Sequence, residues 1–162
     1  MVRDPPGRVP RSASPMARSV RLRPWQKRAL DRLAVSDAPD FLAVATPGAG
    51  KTTFALCAAV HDLAANDGRR LVVVAPTSHL KIQWAEAAAR MGIALDPRFS
   101  NSNSQTSSEY HGVVVTYAQV ASHPTRHRVR TENRKTVVVF DENHHGGRDK
   151  GWGRANSEAI DD

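Results

Sequence analysis

The sequence predicts an α/β fold with a mostly parallel sheet and helices on both faces, and three observations carry that prediction. Four short apolar runs, Phe41 to Ala45, Leu71 to Ala75, Val113 to Tyr117 and Val137 to Phe140, are rich in β-branched residues and lack polar alternation. Strands covered on both sides have that pattern. Helical stretches separate them, from Thr52 to about Asn66 with Gly68 as a stop, and from about Leu80 to Met91 with Gly92 after it. Finally, 162 residues with 40% hydrophobic content and one cysteine suit a single domain whose core needs no disulfide.

Taken in order, residues 1–19 hold four prolines, several arginines and serines, and almost no apolar periodicity. That composition cannot offset the entropy of ordering, so they read as a disordered basic leader, with residues 20–162 as the folded domain. Pro24 then opens a short amphipathic helix with Trp25, Ala29, Leu30 and Leu33 on one face. The stretch from Asp96 to His111, with Asn101, Ser102, Asn103, Ser104, Ser107 and Ser108, reads as a long polar loop. Cys57 lies among Ala55, Leu56 and Ala58 and reads as core, and Trp84 likewise reads as packing. Arg148 to Asp162 is polar and at most weakly helical.

Charge narrows the function classes. The net charge of +7 comes wholly from residues 1–35, which carry nine basic and two acidic groups, while the remainder is balanced. A uniformly basic nucleic-acid-binding domain is excluded. One local cluster, Arg126, Arg128, Arg130, Arg134 and Lys135 opposed by Glu132, fits either a solvated loop or a phosphate contact. No apolar run approaches the roughly 20 residues of a membrane span, and no continuous apolar stretch resembles a secretory signal, so a cytoplasmic protein with no membrane partner is expected.

Two motifs carry chemistry. After the first apolar run comes Ala45-Thr46-Pro47-Gly48-Ala49-Gly50-Lys51-Thr52-Thr53, then a helix. Glycines let backbone N–H groups turn onto phosphate oxygens, the helix N-terminus adds partial positive charge, and Lys51 brings a full charge to the β/γ-phosphates. Thr52 offers its hydroxyl to Mg²⁺. The loop from Thr46 to Thr53 is thus a candidate ATP site. The last apolar run ends in Asp141-Glu142-Asn143-His144. An aspartate at the carboxyl end of a parallel strand faces the ligand crevice, which the phosphate loop is expected to share. There Asp141 would hold Mg²⁺ through its water shell and Glu142 would orient and deprotonate the attacking water. His144 and His145 lack the companions of a zinc site.

With both motifs in place the chain resembles the N-terminal ATP-binding domain of superfamily 2 DEAD/DEAH-box helicases, with a DExH form of the second motif. The resemblance implies a P-loop NTPase of RecA-like topology. Leu22-Arg23-Pro24-Trp25-Gln26 is similar to the family's glutamine motif, in which Gln26 would read the adenine edge. Ala75-Pro76-Thr77-Ser78-His79-Leu80 and Val115-Thr116-Tyr117-Ala118-Gln119 are similar to the motifs that follow, implying contacts of Pro76, Thr77 and Thr116 with a DNA or RNA backbone. By the same resemblance His144 couples the γ-phosphate to the nucleic-acid side, and Gly146-Gly147 is similar to helicases related to restriction translocases.

The family hydrolyses ATP between two RecA-like domains, the second supplying arginines. The resemblance therefore implies a domain incomplete after the DExH motif, with a second RecA-like domain or partner chain required for turnover, and an open strand edge or apolar face. Four readings follow: the ATP-binding half of a helicase or translocase, a truncated non-cycling module binding ATP or nucleic acid, a translocase subunit of restriction type, and a small-molecule or nucleotide kinase. The Asp-Glu pair and the glutamine motif disfavour the kinase. Backbone contacts carry no base information, so DNA and RNA stay equally open.

Overall fold

The computed structural model describes residues 20–46, 48–102 and 107–141. The leader, Pro47, Glu142, His144 and the segment after them lie outside the described residues. Within them the elements run α1 (Pro24–Val35), α2 (Lys51–Ala65), β1 (Arg70–Ala75), α3 (Ser78–Arg90), β2 (Leu95–Asp96), β3 (Gly112–Thr116), α4 (Tyr117–Ser122), α5 (Pro124–Asn133) and β4 (Thr136–Phe140).

The four strands form one sheet in the order β2-β3-β1-β4, and every pairing is parallel. β1 sits centrally because Leu71 to Ala75 is apolar on both sides: all five residues are buried, each large side chain contributing roughly 1.5–3 kcal/mol. On one face Leu71, Val73, Ala75 and Val114 pack with Leu56, Cys57, Ala59 and Val60 of α2 and Trp84 and Ala88 of α3. On the other face Val72, Val74, Val113 and Val115 pack with Phe99, and Val120 of α4 leans against them. β3 and β1 approach so closely that a Cβ on Gly112 would lie 1.7 Å from the Leu71 carbonyl oxygen.

The helices begin where the sequence supplies starts. Pro occupies the first turn of α1 and of α5, where its missing N–H costs nothing. Thr77 and Thr116 cap α3 and α4 by accepting from the N–H groups of Leu80 and Gln119. After α2 the chain turns through Gly68 into β1, with Arg69 and Asp62 paired at 2.6 Å across the turn. No helix among the described residues is long and apolar enough to cross a membrane.

Four expectations need correction. Phe41 to Ala45 forms no strand. Phe41 instead puts its ring 5.9 Å from that of Phe54, while Leu42 and Val44 stay 51% and 76% exposed. The run spends its one deeply apolar ring on α2 rather than on the sheet. Second, β4 is not covered on both faces, since Val138 and Phe140 are exposed. Third, Tyr117 starts a helix rather than ending a strand, because the Thr116 cap closes β3 one residue earlier. Fourth, the basic cluster is largely helical, as α5, and not a loop. Its helix is tied to the 96–111 segment through Asn101, whose Oδ1 faces His127 Nε2 at 2.9 Å and whose carbonyl accepts from Arg126 Nη1 at 2.9 Å. Arg130 adds a cation–π contact, 4.2 Å from the Phe99 ring centre.

Candidate functional site

The phosphate loop is held from α1. Arg23 Nη1 donates to the Gly48 carbonyl at 3.1 Å, Trp25 Nε1 to that of Ala49 at 3.0 Å, and Gln26 Nε2 to that of Gly50 at 2.8 Å. Three successive loop carbonyls are thus bound by donors from one short stretch. The Trp25 ring also stacks at a tilt on Phe54, 5.7 Å away, which fixes α1 against α2. Inside the loop Ala49 N–H closes a turn onto Thr46 O, and Phe54 N–H makes the first helical bond to Gly50 O. Gly50, at φ 91°, is the N-cap of α2, and no side chain caps the helix. Lys51, Thr52 and Thr53 therefore begin an uncapped 15-residue helix, whose leading N–H groups and dipole suit an anion.

Gln26 is 2% exposed. Its Oε1 accepts from Arg23 N–H at 2.7 Å while its nitrogen holds Gly50. An adenine contact by this amide requires it to release one of those partners.

A second group of residues lines the carboxyl edge of the sheet. The register pairs Val74 with Phe140 and Ala75 with Thr116, so Thr116 ends β3 while Pro76 and Thr77 follow β1 and Asp141 follows β4, three adjacent strands. Asp141 is fixed three ways: its N–H donates to Val74 O at 2.9 Å, its carbonyl accepts from Tyr117 Oη at 3.3 Å, and its Oδ2 accepts from Trp84 Nε1 at 2.8 Å. Thr77 and Thr116 spend their hydroxyls as helix caps, and Thr116 is buried as well.

Beneath these caps lies a residue the sequence did not single out. Lys81, in the first turns of α3, is 7% exposed, and its ammonium donates to Phe99 O at 3.3 Å and Gln119 Oε1 at 3.0 Å. Burial pushes its pKa below the usual lysine value, against the opposing pull of Asp96. Gln119 Oε1 also accepts from Thr116 N–H, and its amide nitrogen reaches Phe99 O. This network joins the starts of α3 and α4. A lysine beside Leu80 gives no sequence sign of it, because its partners lie 18 and 38 residues away.

The two groups touch different stretches of α3. Thr52 and Thr53 share a cleft of about 350 Å³ with Ala87, Arg90 and Met91 at the carboxyl end of α3. Asp141 meets Trp84, three to seven residues earlier on α3, roughly 5–10 Å along its axis. With 41–45 outside the sheet, the loop is anchored by α1 and not by a strand end. Among the described residues no cluster of three or more His, Cys, Asp or Glu could hold a metal by itself.

Comparison with known proteins adds a family. Residues 19–161 match the family described as type III restriction enzyme, res subunit. The chain is 63% identical over 141 residues to an uncharacterized protein of Mycobacterium tuberculosis (strain ATCC 25618 / H37Rv), covering 87% of this chain and 23% of that protein. It is 60% identical to an uncharacterized protein of Mycobacterium leprae (strain TN), covering 87% and 24%. The chain thus spans about a quarter of the length of the curated relatives it matches. No solved structure matches it.

Proposed function

Because the chain belongs to the type III restriction enzyme res subunit family, whose domain is a helicase-like ATPase domain of superfamily 2, we propose that it is the ATP-binding half of a nucleic-acid helicase or translocase. The carrying observation is the phosphate loop: an uncapped helix led by Lys51 and Thr52, preceded by three carbonyls bound from α1. Tying those oxygens down leaves the loop's character to its N–H groups and to Lys51, which is what a triphosphate needs.

In this reading the donor set fits Mg²⁺·ATP. Thr46 to Thr53 embrace the phosphates, Lys51 neutralises the γ-phosphate, and Thr52 and Asp141 hold Mg²⁺, which when bound offsets charge on the phosphate oxygens. Glu142 orients the attacking water and His144 couples the γ-phosphate to nucleic acid. Pro76 and Thr77, at the carboxyl edge, face a DNA or RNA backbone, and Thr116, buried with its hydroxyl on the α4 cap, contributes to that edge by positioning the start of α4. An arginine from a second RecA-like domain or partner chain completes hydrolysis, a contribution of about 10³–10⁵ in rate in related chemistry.

For Thr52 and Asp141 to share a metal, the loop and the carboxyl edge of β4 must lie together. β4 is the last strand of the sheet and leaves Val138 and Phe140 exposed, and Leu42 and Val44 are exposed in the run before the loop. Pairing of 41–45 along β4 would bury these side chains and carry Thr46 to Lys51 toward Asp141.

Calorimetry with a non-hydrolysable ATP analogue tests the reading. The wild-type chain binds in the presence of Mg²⁺ and Lys51→Ala does not. Absence of binding by the wild type, or equal binding by the variant, refutes it.

A further inference from the structure

The Trp84 indole lies on the core face of α3, 4% exposed, yet its N–H is directed out of the core to the carboxylate of Asp141. A buried indole N–H needs an acceptor. Any carbonyl at the end of β1 or β4 would serve for that purpose. The acceptor here is the side chain of the first residue after β4, whose backbone is already held by Val74 and Tyr117.

We propose that Trp84 is a positioning residue that sets the rotamer of Asp141 and so presents its other oxygen, Oδ1, to the hydrated Mg²⁺. This rests on the reading of Asp141 as a metal-holding carboxylate. Three physical points support it. The bond is charge-assisted, at 2.8 Å, and engages one oxygen only. The donor is neutral: a lysine or arginine in its place would hold the carboxylate equally well but repel a dication. And the donor is rigid, because the indole is embedded with Leu71, Val73, Ala75 and Ala88, so the carboxylate is referenced to the sheet rather than to a mobile loop. A carboxylate left free would have to be ordered by the metal itself at each binding event.

The test compares wild type, Trp84→Phe, Asp141→Asn and the double variant. The Mg²⁺ concentration that gives half-maximal binding of a non-hydrolysable ATP analogue is read for each. Trp84→Phe raises it about tenfold, leaves Mg²⁺-free nucleotide binding unchanged, and has no further effect once Asp141→Asn is in place. Should the phenylalanine variant fail to fold, benzothienylalanine at position 84 keeps the shape and removes only the N–H. An independent readout is the Trp84 indole ¹⁵N–¹H resonance, which shifts in Asp141→Asn without any nucleotide present.

The outcomes separate. If Asp141→Asn raises the Mg²⁺ requirement and the position 84 variants do not, the positioning role is overturned and the metal role of Asp141 stands. If Asp141→Asn leaves the Mg²⁺ requirement at the wild-type value, the metal role falls and this inference with it. An indole resonance that ignores Asp141→Asn overturns the contact itself.

Discussion

Replacing Gly50 by alanine separates two costs that the phosphate loop imposes on a side chain. The first is conformational: Gly50 sits at φ 91°, where an L-residue loses roughly 1–2 kcal/mol. The second is steric: a Cβ there would lie 2.5 Å from Gln26 Nε2. The amide must swing away and give up its bond to Gly50 O, worth about 0.5–1.5 kcal/mol. Gly48 isolates the first cost, since its φ is 74° and nothing lies within 4 Å of its Cβ position. Gly48→Ala therefore loses roughly 1–2 kcal/mol and Gly50→Ala roughly 1.5–3.5 kcal/mol. In thermal denaturation of the nucleotide-free chain these become Tm decreases of about 3–6 °C and about 5–11 °C, at roughly 3 °C per kcal/mol. In a Gln26→Ala background the steric part is gone, so the extra decrease from Gly50→Ala shrinks to that of Gly48→Ala. Equal shifts for the two glycines, or an undiminished Gly50→Ala cost in the Gln26→Ala background, would refute the reasoning.

Two further predictions concern the half-buried His127 and the buried Cys57. His127 has its pKa lowered by desolvation first and then by Arg130, against an upward pull from the hydrogen bond with Gln119, with His123 adding the smallest downward contribution. The unfolded chain thus takes up a proton that the folded chain resists, so stability declines as pH falls from 6.5 to the lowered folded value and is flat below it. His127→Asn removes part of that decline in urea midpoints measured across the range, and an unchanged slope counts against the assignment. Cys57 is buried with its thiol pKa raised by desolvation. A thiol-alkylating reagent labels it in urea but not in the native chain, where fast labelling at neutral pH would contradict its packing against the sheet.

Much of this architecture is legible in the residues, and the exceptions have particular causes. Leu71 to Ala75 and Val113 to Thr116 are apolar at every position or nearly so, and each sits at the centre of the sheet. The run Phe41 to Ala45 has the same texture but stays out, because composition cannot say whether Phe41 goes to the sheet or to Phe54. Helix α5 shows no apolar stripe: Arg126, Arg128 and Arg130 fill it, and its hold on the domain comes from Asn101 and the Phe99 ring in a segment that reads as loop. At the site, the loop Thr46 to Thr53 is visible as a motif, whereas its anchoring by Arg23, Trp25 and Gln26 depends on contacts 24 and 25 residues apart. Trp84 shows the same limit more sharply. Read alone it is a core residue, and only a partner 57 positions later reveals the direction of its N–H.

The close approach of β3 to β1 at Gly112 bears on how faithfully the sheet assembles. Parallel strands as apolar as these have little in their side chains to distinguish one alignment from the next, since Val113, Val114 and Val115 could face Val72, Val73 and Val74 in several offsets. A residue with any side chain at the Gly112 position would drive its Cβ into the Leu71 carbonyl. Shifting β3 by one step brings His111 or Val113 to that spot, and neither fits. The missing side chain thus works as a key to the alignment seen, and it leaves Thr116 facing Ala75 at the far end of the sheet.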